Sequence, residues 1–225
     1  MEEIYLEGRR AARLSCPPAL IPSPGQYLLA SSLSAAASAL AQPVFSAGSC
    51  PGGFYAAGPL PPGWLPGTRL KLRGPLGRGF SLPASARQVA LAALDGNCAR
   101  LLALLEPALA QKASVVLLAD QPPANLPIAL EIQPISALSE TAPWAAYLAL
   151  DLRRERLPEL QARLGLLPNN NYAQHKPIPP RGVIQALIET PLPCANLAEC
   201  GACAVSLRPG SRPQLACKDG PVFEL

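Results

Sequence analysis

The chain has 225 residues, nearly half of them hydrophobic, which is enough for one large core or two small ones. Its net charge is +4 and no basic run is interleaved with aromatic residues, so we expect no nucleic-acid partner. Apolar runs fall short of the roughly eighteen residues of a membrane span, and residues 1–5 lack the features of a signal peptide. We therefore expect a cytoplasmic protein without a membrane span.

Residues 1–83 are predicted to form short strands separated by proline and glycine. Strands are expected within 1–14, at 26–30 and at 68–73, where basic and leucine residues alternate strictly. The 28 prolines of the chain favour loops and edge strands over long helices.

Residues 84–167 change to an alternation of strands and helices. Strands are predicted at 89–92, 114–119, 128–132 and 146–151, and helices at 97–111 and 153–164. This order predicts a small parallel α/β sheet with right-handed crossovers. Asp95, Asp120 and Asp151 lie at predicted strand ends, where a surface or capping role is the expectation.

A Pro/Asn-rich linker at 168–182 is followed by a final strand at 183–188. The only histidine, His175, lies in this linker, so we do not expect a hydrolase with a Ser–His–Asp arrangement. We divide the chain into units at 1–83, 84–167, 168–189 and 190–225.

The last unit carries four cysteines as Cys194-x5-Cys200-x2-Cys203-x13-Cys217. Clustered cysteines in a cytoplasmic chain indicate a metal site rather than disulfides. The spacing is near the plant-type pattern of [2Fe–2S] proteins. Structural zinc is usually bound by two closely spaced ligand pairs, such as two CxxC motifs, and this chain has only the pair Cys200-x2-Cys203. We predict a [2Fe–2S] cluster, with zinc as the first alternative and redox-active or inert thiols as the second. The isolated Cys16, Cys50 and Cys98 are predicted to be small buried hydrophobic residues.

Three segments resemble the electron-transfer subunit of two-subunit dihydroorotate dehydrogenases. The tail at 199–205 (ECGACAV) and 216–223 (ACKDGPVF) is similar to the cluster-binding end of that family. Residues 74–80 (GPLGRGF) and 24–27 (PGQY) are similar to its flavin-binding barrel, which belongs to the ferredoxin-reductase type. The resemblance implies an N-terminal antiparallel β-barrel at 1–83, a nucleotide-binding α/β domain at 84–167 and a [2Fe–2S] module at 190–225.

The resemblance also implies a flavin site, but the chain departs from the family there. The counterparts of the FAD-binding segments are Gln42, Pro43, Val44, Tyr55 and Gly58, without the arginine and serine of the family. The Gly-rich turn that binds NAD phosphates retains only Gly96, beside Asp95. FAD binding is therefore left open and NAD binding is not expected. The first cysteine gap is one residue longer than in the family, which makes Cys194 the least secure ligand.

The main hypothesis is a non-catalytic iron–sulfur subunit that relays electrons from a flavin-containing, dihydroorotate dehydrogenase-like partner in a hetero-oligomer of pyrimidine biosynthesis. One alternative is a zinc-stapled scaffold without a redox role. Another is an intact FAD- and NAD-dependent reductase whose binding motifs have diverged.

Overall fold

The computed structural model describes residues 1–6, 9–33, 40–124, 126–166 and 182–225. The predicted linker, apart from Gly182, and His175 lie outside these ranges. Within the described residues the β structure forms two six-stranded sheets and one two-stranded hairpin. No helix of the described part is long and apolar enough to cross a membrane.

The N-terminal sheet is antiparallel throughout. Its strands are β1 (Glu2–Leu6), β2 (Arg9–Ser15), β3 (Tyr27–Ser32), β4 (Gln42–Cys50), β5 (Gly53–Ala56) and β6 (Leu70–Leu76). They are hydrogen-bonded in the order β1–β2–β5–β4–β3–β6. Among the described residues the edge strands β1 and β6 pair with no further strand, so the sheet does not close into the predicted barrel. Pro75 in β6 has no amide hydrogen, which suits an edge strand.

One face of this sheet packs into its own core. Leu28, Val44 and Phe54 are buried there from three neighbouring strands, and Trp64 covers them from a loop. Because successive side chains of a strand point to opposite faces, Phe45 lies on the other face of β4. That second face is the one that meets the rest of the molecule.

The second sheet is mostly parallel. Its strands are β7 (Gln88–Ala93), β8 (Ser114–Leu118), β9 (Leu130–Gln133), β10 (Tyr147–Arg153) and β11 (Val183–Glu189), and the chain continues through the hairpin β12 (Ala204–Val205) and β13 (Gln214–Leu215) to β14 (Val222–Glu224). The order is β14–β11–β10–β7–β8–β9, and only β14 is antiparallel to its neighbour. The C-terminal segment is therefore built into the α/β sheet.

The helices are short. They are α1 (Ala99–Leu102), α2 (Leu105–Ala110), α3 (Leu138–Thr141) and α4 (Leu157–Arg163), with 3₁₀ turns at Pro18–Leu20, Ile135–Ala137 and Arg154–Arg156. The single helix predicted at 97–111 is wrong, since α1 and α2 are separate. Pro107 has no amide hydrogen to bond the carbonyl of Ala103, so a helix can hold it only in a first turn.

Three glycine-containing segments meet where the two sheets join, at residues 24–27, 74–80 and 219–223. A Cβ on Gly25 would lie 2.6 Å from a Val222 methyl group, and a Cβ on Gly77 would lie 2.6 Å from Cδ of Pro221. Only glycine permits these approaches at positive φ. Segments that the sequence connected only by resemblance thus form one packed junction.

Candidate functional site

A cavity of about 490 Å³ lies between the two sheets. Its walls come from the first sheet and the loop after β5, from α1 and the end of β11, and from the C-terminal segment that carries the cysteines. The lining side chains that matter below are Tyr27, Phe45, Arg100, Glu189, Thr190 and Ala216. Cavities of this size are typical small-molecule and cofactor sites.

The residues predicted to contact a flavin divide into two groups. Gln42, Pro43 and Gly58 line the cavity, and Val44 and Tyr55 do not. Val44 points to the opposite face of β4, where it is buried in the core of the first sheet. Tyr55 packs against Ala47, Ala57 and Ala99 and does not itself line the cavity. Strand alternation places Val44 on the opposite face from Pro43 and Phe45, which both line the cavity.

A buried ion cluster forms one wall of the cavity. The Arg100 guanidinium donates to both carboxylate oxygens of Asp151 at 2.7 and 2.6 Å, and to Glu189 at 2.9 Å. The Arg100 and Asp151 side chains are only 9% and 2% exposed. Because one cation meets two carboxylates, the ionised cluster has a net charge of −1. The surface or capping role expected for Asp151 is wrong, whereas Asp95 does accept a backbone hydrogen bond, from Arg153 at 2.6 Å.

The pKa values of this cluster reflect burial and pairing together. Burial raises the pKa of Asp151 to about 6, although the guanidinium of Arg100 acts to lower it. Burial acts to lower the pKa of Arg100, but the carboxylates of Asp151 and Glu189 outweigh it and the pKa is raised. The paired hydrogen bonds from Arg100 to Asp151 favour the ionised form of both side chains.

Aromatic rings extend this wall. The ring of Phe45 lies 5.3 Å from the guanidinium carbon of Arg100, within cation–π distance. Phe45 is also tilted against Tyr27, with ring centroids 5.7 Å apart. Arg100, Phe45 and Tyr27 were absent from the predicted site. The only available signal for Arg100 was a cation within an otherwise apolar helical stripe.

The first two cysteines of the predicted cluster lie in one tight loop. Ala195 and Asn196 both have left-handed backbone, with φ of 47° and 57°, which turns the chain back within the five-residue gap. Sγ of Cys194 lies 3.1 Å from the carbonyl oxygen of Ala198. Contact with the backbone of Ala198, and then with the Cys200 side chain, lowers the pKa of Cys194 to about 7. Cys194 and Cys200 therefore form a close pair despite the longer gap.

The other two cysteines belong to the β12–β13 hairpin. Cys203 precedes β12 and Cys217 follows β13, and the amide of Ala216 donates to the carbonyl of Cys203 at 3.0 Å. Burial, and then the neighbouring Cys203 thiol, raises the pKa of Cys217 to about 12. Cys203 and Cys217 form a second close pair, which is buried.

No group of three or more His, Cys, Asp or Glu side chains in the described part of the chain is arranged to hold a metal ion. The four thiols are instead disposed as two pairs. A [2Fe–2S] cluster takes four thiolates, two on each iron, so this donor set suits a two-iron cluster better than a single ion. No disulfide joins any of the seven cysteines. Of the three predicted to be buried hydrophobic residues, Cys98 is buried, and Cys16 and Cys50 are half-buried.

Two arginines bind the backbone of the cysteine segment. Arg154 donates to the carbonyls of Ala202 and Ala204, on either side of Cys203, at 2.9 and 3.1 Å. Arg73, from β6, donates to the carbonyl of Ala195. Arg73 belongs to the first sheet and Arg154 to the 3₁₀ turn that follows β10, so both parts of the fold hold the cysteine segment in place.

Comparisons with known proteins identify the fold. No protein-family model matches the chain, and no curated protein matches it. Eight chains of solved structures do match. One is from the structure of an NADH-dependent reduced ferredoxin–NADP oxidoreductase, described for its insight into flavin-based electron bifurcation. The TM-score is 0.69 at 13% identity, over 99% of this chain and 86% of the other.

The class that this likeness defines is a ferredoxin-reductase-like fold, with a β domain followed by an α/β domain. At 13% identity the likeness establishes the fold but not the chemistry of the cavity or of the cysteines.

Proposed function

We propose that the chain is an iron–sulfur electron-transfer subunit of a flavin-dependent oxidoreductase complex in the cytoplasm. The observation that carries this proposal is the position of the cavity relative to the cysteines. Ala216, next to Cys217, and Leu192, two residues before Cys194, both line it. A flavin bound in the cavity would lie against the cysteine segment.

The cavity offers suitable contacts for a flavin. Phe45 and Tyr27 present aromatic surface, and Gln42 and Thr190 present polar groups. The solved relative by fold is described in terms of flavin chemistry. These features support FAD, or a flavin shared with a partner, as the occupant of the cavity.

The four thiols, Cys194, Cys200, Cys203 and Cys217, are the proposed cluster ligands. A [2Fe–2S] cluster, when bound, accepts and donates one electron at a time. The chain's own residues would fix its place: Arg154 holds the backbone on both sides of Cys203, and Arg73 holds the loop after Cys194.

Loss of NAD binding is part of the proposal. Nucleotides bind α/β sheets at the carboxyl ends of the strands, where phosphates need positive charge. Here Asp151 and Glu189 lie at the ends of β10 and β11, and Arg100 is already bound to both. The Arg100 guanidinium is therefore already engaged and is not available to the phosphates of NAD. The resemblance of the tail favours a dihydroorotate dehydrogenase-like flavoprotein as the partner in a hetero-oligomer.

The test is an ultraviolet–visible spectrum of anaerobically purified full-length protein, with iron, sulfide, zinc and released flavin quantified on the same sample. We expect about two irons and two sulfides per chain. Iron with stoichiometric FAD would place both carriers in this subunit, and iron without flavin would assign the flavin to the partner. Zinc that persists after reconstitution with iron and sulfide would overturn the proposal in favour of a scaffold.

A further inference from the structure

The Tyr27 hydroxyl is a buried polar group without a partner. Tyr27 is fully buried at the start of β3, and its Oη makes no hydrogen bond within the described part of the chain. The other large buried tyrosine differs, because the Tyr147 hydroxyl donates to Gln185 at 2.8 Å. A buried hydroxyl without a partner is disfavoured, and such groups are rare in folded proteins.

The surroundings of Tyr27 indicate what the missing partner is. The ring packs with Ala195, next to Cys194, and a Cβ on Gly77 would lie 2.9 Å from Cε1 of Tyr27. Burial raises the pKa of Tyr27 to about 12, and the Cys217, Cys203 and Cys194 thiols add smaller contributions. The buried hydroxyl therefore lies in the neighbourhood of both thiol pairs.

We propose that the Tyr27 hydroxyl donates a hydrogen bond to a sulfur atom of the four-cysteine site when its cluster is bound. Tyr27 also lines the cavity, so this one side chain would contact both the proposed flavin site and the proposed cluster. This inference rests on the proposed function. Hydrogen bonds to sulfur stabilise the more negative, reduced form of a cluster and raise its reduction potential. Tyr27 is thus a positioning and tuning residue.

The experiment compares Tyr27→Phe with Tyr55→Phe, a half-buried tyrosine on the same sheet that does not line the cavity. Both variants and the unaltered full chain are loaded with iron and sulfide, and the midpoint potential is measured by anaerobic redox titration. We expect equal iron content in all three and a more negative potential in Tyr27→Phe alone. Equal potentials in all three loaded proteins would overturn the inference. Failure of the unaltered chain to bind iron would instead overturn the proposed function.

A second measurement needs no cluster. In the metal-free chain the hydroxyl has no partner to lose, so Tyr27→Phe should melt at the same temperature as the unaltered chain or higher. A clear fall in the melting temperature, larger than that of Tyr55→Phe, would mean that the hydroxyl already has a partner within the fold. That result would overturn the inference whether or not the variant binds iron.

Discussion

The cysteine segment, residues 194–217, lies beside the cavity wall formed by the ion cluster of Arg100, Asp151 and Glu189, but the two regions are built in different ways. The four cysteines fall within 24 consecutive positions, 194–217, and two local turns bring them into pairs. The Arg100 cluster joins residues 51 and 89 positions apart from three different elements. The first region is defined by local chemistry, whereas the second exists only because the sheet brings distant charges together. Substitutions should therefore affect metal content in one region and the stability of the whole fold in the other.

The largest effect is expected from Cys203→Ala. Removing one of four thiolates should abolish most of the visible absorption and bound iron after reconstitution, because the remaining three thiolates cannot complete the coordination of both iron ions. The melting temperature of the metal-free chain should change little, since the side chain is small. Cys98→Ala, at an equally buried cysteine, should retain the iron. An unchanged spectrum in Cys203→Ala would remove this residue from the ligand set.

Next is Arg100→Met, which should destabilise the fold by about 3–5 kcal/mol, because it leaves the buried Asp151 carboxylate without its partner. Urea unfolding of the metal-free chain measures this. The matched control is Arg156→Met, whose ion pairs with Glu159 and Asp95 are more exposed and should each contribute at most about 1 kcal/mol. Replacing Asp151 by Leu in the Arg100→Met background should restore part of the stability. Equal losses in the two arginine variants would contradict a buried electrostatic wall.

The junction that supports both regions can be tested with Gly77→Ala. A Cβ there adds left-handed strain of about 1–2 kcal/mol and contacts at 2.6 Å to Pro221 and 2.8 Å to the carbonyl of Gly220. Overpacking of this kind costs about 1–3 kcal/mol. Gly67→Ala has a similar φ of 83° and no atom within 4 Å, so it should show the strain alone. Unfolding free energies that do not differ between the two variants would exclude a close-packed junction.

The smallest effect concerns the reactivity of Cys194. Because its pKa is lowered from 9.0 to about 7, about half of it is thiolate at pH 7. The lower nucleophilicity of such a thiolate reduces the gain in alkylation rate to about five- to tenfold over the same cysteine in the urea-unfolded chain. Peptide-resolved alkylation of metal-free protein across pH 6–9 measures the midpoint. A midpoint near pH 9 would mean that the turn at Ala195 does not hold Cys194 as described.

Local patterns predicted most strands of the fold but not the boundaries of its helices. The continuous apolar run at 114–119 and the strict alternation at 68–73 correspond to β8 and β6, within two or three residues at each end. The β4–β5 hairpin was missed, because Pro43 and Gly48 interrupt its apolar pattern. Barrel closure was expected from resemblance alone, and among the described residues the edges of the sheet stay apart. Strand pairing over long separations has no local signature.

The sequence by itself determined that four thiols and two glycines lie within one short C-terminal stretch, because their spacing is a local property of the chain. It also predicted the parallel sheet, through the alternation of strand and helix patterns. Only the tertiary structure decided that Arg100 is held by Asp151 and Glu189, and that the Tyr27 hydroxyl is buried without a partner among the described residues. Burial removes water as a competing partner, so a charge or hydroxyl acquires its function from whichever distant group the fold places beside it.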